Sequence, residues 1–97
     1  MARFDVYESS GGLFVDVQAD TLDVLDTRVI IPLMTPEVAP KPARRLNPKI
    51  VFRGQDYYLQ TQYISAVTPY ELGRRCGDLK DERDRIVAAL DMLFQGV

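Results

Sequence analysis

The apolar residues of this chain change period once, and that change limits the fold more than any other feature. Up to residue 67 they sit in short runs that alternate with polar residues, whereas Ile86, Leu90, Leu93 and Val97 recur at spacings of four, three and four. The first pattern has the period of two that lines one face of a strand, the second the 3.6-residue period of a helix. A mainly β chain closed by one C-terminal α-helix is therefore expected. The longest apolar run, Val29-Ile30-Ile31-Pro32-Leu33-Met34, is six residues, far short of the roughly 20 that a membrane helix needs. A chain of 97 residues supports one core, since at this size only about two-thirds of the unfolded surface is buried. A single domain, 1–97, is expected.

Within the β part, Arg3-Phe4-Asp5-Val6-Tyr7 puts Phe4 and Val6 on one face, Ser9-Ser10-Gly11-Gly12 is a turn cluster, and Leu13, Val15 and Val17 resume the alternation. This predicts a hairpin. An acidic stretch, Asp20 to Asp26, leads into Arg28 to Met34, whose continuous apolar content suits a strand buried on both faces. Pro32 has no amide to donate, which predicts a bulge or an end of pairing there. Pro36, Pro40, Pro42 and Pro48 make 35–48 a long surface loop. Lys49 to Arg53 and Tyr57 to Gln62 flank Gly54-Gln55-Asp56 as a second hairpin, and Ile64 to Val67 gives a further strand. Residues 70–77 stay ambiguous because Gly73 and Gly77 break them. Over the last twenty residues Val87 and Phe94 widen the helical stripe that covers the sheet, with Asp78 or Asp81 as N-terminal cap.

Missing residues exclude much chemistry. There is no histidine, so Ser-His and Cys-His nucleophilic pairs, histidine general bases and nearly all zinc sites are ruled out. No acid lies in a catalytic motif, and no catalytic residue, metal or cofactor is expected; the chain reads as a non-enzyme. The single cysteine, Cys76, permits no internal disulfide and reads as a loop thiol or small core residue. With no apolar signal region after Met1-Ala2-Arg3, the expected compartment is the cytoplasm. Charge is segregated: residues 1–40 carry two basic against seven acidic side chains, residues 41–77 seven basic against two acidic. The basic run Lys41-Pro42-Ala43-Arg44-Arg45 has no interleaved aromatics, so direct nucleic-acid binding is not expected.

Leu13-Phe14-Val15-Asp16-Val17-Gln18-Ala19-Asp20, then Arg28-Val29-Ile30-Ile31-Pro32-Leu33, then Gly77-Asp78-Leu79 and the closing Ile86 to Val97 resemble the CcdB toxins of bacterial toxin–antitoxin modules. The likeness covers nearly the whole chain, and the FVDVQ and IPL pieces are its specific part. It implies an SH3-like barrel of the CcdB/MazF type, with a five-stranded antiparallel sheet, a minor sheet and a terminal helix. It also implies a homodimer that binds the DNA gyrase A subunit, traps the cleaved gyrase–DNA complex, and is neutralised by a CcdA-like antitoxin. The gyrase contacts it implies fall on Gln95, Gly96 and Val97, on Asp91 one helical turn earlier, and on Thr21 and Leu22. For the antitoxin, the charge asymmetry and the family likeness point to the turn Glu8, Ser9, Ser10, Gly11 and Gly12 and to Lys41, Arg44 and Arg45. One departure stands out: Gln95 occupies the place of a tryptophan in the best-known member, and loses a cation–π interaction worth about 0.5–2 kcal/mol. Two other readings remain open, a MazF-like endoribonuclease using Arg53 or Arg28 with an acid, and a binding module that has lost its toxicity.

Overall fold

The computed structural model describes residues 1–97. Its elements run β1 (Asp5–Ser9), β2 (Gly12–Asp16), β3 (Arg28–Met34), β4 (Lys49–Phe52), β5 (Gln55–Leu59), β6 (Ser65–Val67), β7 (Arg74–Asp78) and α1 (Arg83–Gln95). Every pairing is antiparallel. All seven strands join in one sheet, in the order β4-β5-β3-β2-β1-β7 with β6 also paired to β3, and the β4–β5 hairpin attaches at the end of β3 through Leu33 and Met34. The whole is curled, so that β4 and β7 approach each other: a Cβ on Gly77 would lie 2.8 Å from the Phe52 ring, and only a hydrogen fits there. Mainly β with one C-terminal helix is thus the observed architecture.

Local chemistry explains the joins. The β1–β2 turn is Ser10-Gly11, with φ of 52° and 79°, and the β4–β5 turn is Arg53-Gly54, with φ of 52° and 76°. Both are two-residue turns with positive φ at each central residue, the geometry whose twist matches paired strands. The second turn therefore sits one residue earlier than the sequence suggested, with Phe52 opposite Gln55. Pro32 does not interrupt β3 against β2, where it pairs with Phe14 without a bulge. On the other edge of β3 the partner changes at that point, from β6 at Arg28–Ile30 to β5 at Leu33–Met34, and an absent amide costs nothing where no ladder continues. Residues 70–77, unresolved by pattern, become a 3₁₀ turn (Pro69–Glu71) and the edge strand β7. Cys76 is the one buried residue of β7 and belongs to the core.

The core lies between the concave face of the sheet and α1. Val6, Val15, Ile31, Ile50, Leu59 and Ile86 are all fully buried in it, each worth about 1.5–3 kcal/mol of apolar burial. Phe4 joins them from just outside β1, with a φ of 71°. The opposite face is covered by Leu72 over Tyr7 and Ile30. There Asp16 and Arg28, 0% and 2% exposed, form an ion pair at 2.7 Å, buried charges that persist because each has its partner. The helix carries no side-chain cap. Asp78 instead accepts from the Lys80 amide at 3.1 Å, beside the 3₁₀ turn Lys80–Glu82 that leads into α1 and whose cap position is Leu79.

Candidate functional site

The end of α1 is built as an exposed apolar tip. Ile86 and Ala89 hold the first half of the helix on the sheet, and Leu90 and Leu93 are half-buried. Phe94, expected to be the last anchored apolar residue, is instead 69% exposed, and Val97 is 67% exposed. The physical reason is geometric: the helix runs past the edge of the concavity, so later positions of the stripe have nothing to cover. Gly96 ends the helix in the left-handed conformation, φ 75°, with its amide bonded to the Met92 carbonyl at 3.1 Å. That cap is what glycine is needed for, because a Cβ there would meet nothing within 4 Å. Gln95 reaches back to Asp91, Nε2 donating to Oδ1 at 3.4 Å, so these two share one face.

Thr21 and Leu22 lie elsewhere. They belong to a 3₁₀ turn, Asp20–Leu22, and Thr21 lines a depression of about 450 Å³ with Arg3, Lys80 and Arg83 at the start of α1. From Arg83 to Gln95 a helix advances about 18 Å at 1.5 Å per residue. Within one chain the two groups therefore occupy opposite ends of α1. Leu22, Val24 and Leu25 are exposed side by side in the chain, at 47%, 86% and 48%, an apolar segment among acids that pattern reading passed over.

The two halves of the expected antitoxin site also separate. Glu8, Gly11 and Gly12 line the largest cleft, about 650 Å³, together with Phe14, Phe52 and Arg53. Lys41, Arg44 and Arg45 are exposed on the proline-rich loop and do not line it. Asn47 fixes the end of that loop, accepting from the Ala43 amide at 2.9 Å and donating to the Leu59 carbonyl at 2.9 Å. Arg53 donates to the Cys76 carbonyl, bridging β4 to β7 at one side of the cleft. No sequence signal announces this cleft, which draws on both hairpins, the end of β3 and β7.

Of the residues considered for RNA cleavage, Arg28 is shut in with Asp16. Its side-chain hydrogen bond to Asp16 raises the Arg28 pKa above the usual value, against desolvation. Burial, then the charges of Asp5 and Asp16, raise the neighbouring Tyr7 phenol. This trio is closed to a substrate. Arg53 is the accessible cation of the pair named from sequence.

A curled antiparallel sheet closed by one C-terminal helix defines the class of small, mainly β half-barrel domains. The model of the CcdB protein family matches residues 3–96, and the chain belongs to that family. Solved structures similar in fold include an endoribonuclease in complex with its cognate antitoxin from a mycobacterial species, 15% identical, with a TM-score of 0.77 over 95% of this chain and 92% of that one. Another is an endoribonuclease from a mycobacterial species, 17% identical, with a TM-score of 0.79 over 95% of this chain and 88% of that one. The reading as a non-enzyme is corrected by these neighbours: this fold occurs in proteins named as RNA-cleaving enzymes. A missing histidine does not decide the matter, since a carboxylate or another base with an arginine meets the requirements of general acid–base and electrostatic catalysis.

Proposed function

We propose that this chain is the toxin of a toxin–antitoxin pair and acts in the cytoplasm as a homodimer that binds the DNA gyrase A subunit, trapping the cleaved gyrase–DNA complex. The observation that carries this reading is the exposed tip of α1, Phe94 to Val97, in a chain of the CcdB family. An apolar tip held out by a capped helix loses its water-exposed surface only against a partner, and the family likeness assigns Gln95, Gly96, Val97 and Asp91 to gyrase. Thr21 and Leu22 are proposed as a separate contact, and a two-fold dimer offers each twice. The antitoxin is proposed to engage the cleft beside Glu8, Ser9, Ser10, Gly11 and Gly12, with Lys41, Arg44 and Arg45 as a second, electrostatic contact; the antitoxin in the neighbour's complex supports a partner of this kind.

Purified protein incubated with gyrase and supercoiled plasmid tests the reading: protein-linked, cleaved DNA is the expected product. Sedimentation equilibrium should give twice the 11.0 kDa of one chain. A second reading, RNA cleavage, is favoured by the endoribonuclease neighbours and by Arg53 at the cleft. Incubation with single-stranded RNA separates the two, because cleaved RNA with intact plasmid would replace the gyrase reading.

A further inference from the structure

The charges at the start of α1 are sorted onto two sides. Asp81 and Glu82 line one depression, beside Arg53, while Lys80 and Arg83 line another with Arg3, Asp20 and Thr21. Three cations converge there, and neither Arg3 nor Lys80 takes part in any of the seven ion pairs. The ion pair of Arg83, to its neighbour Asp84 at 3.5 Å, is between groups 62% and 96% exposed and neutralises little. Asp20, the one acid of the depression, is engaged with the Arg3 amide at 2.8 Å. Arg3 is held in place: its Nε donates to the Val17 carbonyl at 3.1 Å, and its guanidinium lies 4.8 Å from the Phe4 ring centroid. Its terminal nitrogens are left for another acceptor. Lys80 and Arg83 also stand at the end of the helix where cations are least favoured.

We propose that this depression is a docking site for an acidic segment of a partner protein, whose carboxylates are taken by Arg3, Lys80 and Arg83. Carboxylates fit better than the phosphates of a nucleic acid. The chain carries a net charge of -2, the only ring in the depression belongs to Phe4, 4% exposed and covered by Arg3, and no base can stack there. A fixed arginine fork is suited to one or two carboxylates. This inference does not require gyrase to be the target.

The test uses a fluorescein-labelled decaglutamate peptide and the full chain, read by anisotropy at low and at physiological salt. Three proteins are compared: the parent, R3E/K80E/R83E, and the equal-charge control K49E/R74E/R85E, at exposed positions outside both this depression and the basic loop. Affinity should fall about tenfold or more in the first variant and less than about twofold in the control, with the difference shrinking as salt rises. Circular dichroism reports folding, and if the triple variant unfolds, R83Q alone, at an exposed position, should still weaken binding. Equal loss in both triple variants, or no binding by the parent, would overturn the site. Tighter binding of a single-stranded oligodeoxynucleotide of equal charge, lost in the first variant, would overturn the carboxylate in favour of phosphate.

Discussion

The two halves of α1 are written in the same alphabet and do opposite things. In the first half Ile86 and Ala89 are wholly buried against the sheet; in the second, Phe94 and Val97 are 69% and 67% exposed. The apolar period continues across both, so periodicity by itself does not tell a residue that folds the protein from one held out to meet a partner. The surface beneath makes the distinction. Ile86→Ala tests it most severely: removing a fully buried isoleucine should cost about 2–5 kcal/mol, read from urea unfolding. A loss under about 1 kcal/mol would mean that Ile86 does not anchor the helix to the sheet.

What could be read from the chain follows the same line. Strands β1 and β2 were legible because Phe4 and Val6, then Leu13, Val15 and Val17, alternate beside a turn cluster, and β3 because its apolar run from Val29 is continuous. Strand β7 was not, because Arg74-Arg75-Cys76-Gly77-Asp78 has one buried side chain to mark it and owes its place to an edge of β1. The site role of Gln95 to Val97 came from the family likeness and the surface position of that tip from the sequence, whereas the exposure of Phe94 was hidden because stripe and tip share one period. The separation of Thr21 from Gln95, and the cleft beside Gly12, depend on tertiary placement that no local pattern encodes.

Gly96→Ala probes the junction between the halves. Its φ of 75° lies where an L side chain is strained, so the substitution should cost about 1 kcal/mol by thermal unfolding, or fray the last turn instead. Because the surroundings are open, any larger loss would have to come from a contact outside the chain. Deleting Gln95 to Val97 should cost less still, about 0.5 kcal/mol, since it removes the cap bond to Met92 and the long Asp91 contact without forcing strain. Growth of a gyrase-sensitive bacterium expressing the truncated chain should be normal, although the protein is folded. Killing by a folded truncation would move the active surface away from the tip.

The smallest effect on stability, and the sharpest on function, belongs to Gln95→Trp. Gln95 is exposed and donates only the 3.4 Å contact to Asp91, so the change should stay within about 0.5 kcal/mol of the parent in unfolding experiments. A tryptophan there would add an aromatic face beside Phe94, on a helix already fixed by Ile86 and Ala89. An arginine on the partner would then gain about 0.5–2 kcal/mol of cation–π attraction, up to about a thirtyfold gain in affinity. Calorimetric titration of the gyrase A subunit against both proteins measures this directly. Tighter binding at unchanged stability would place recognition in the second half of the helix. Unchanged affinity would show that position 95 lies outside the contact, leaving Phe94 and Val97 as the residues to vary next.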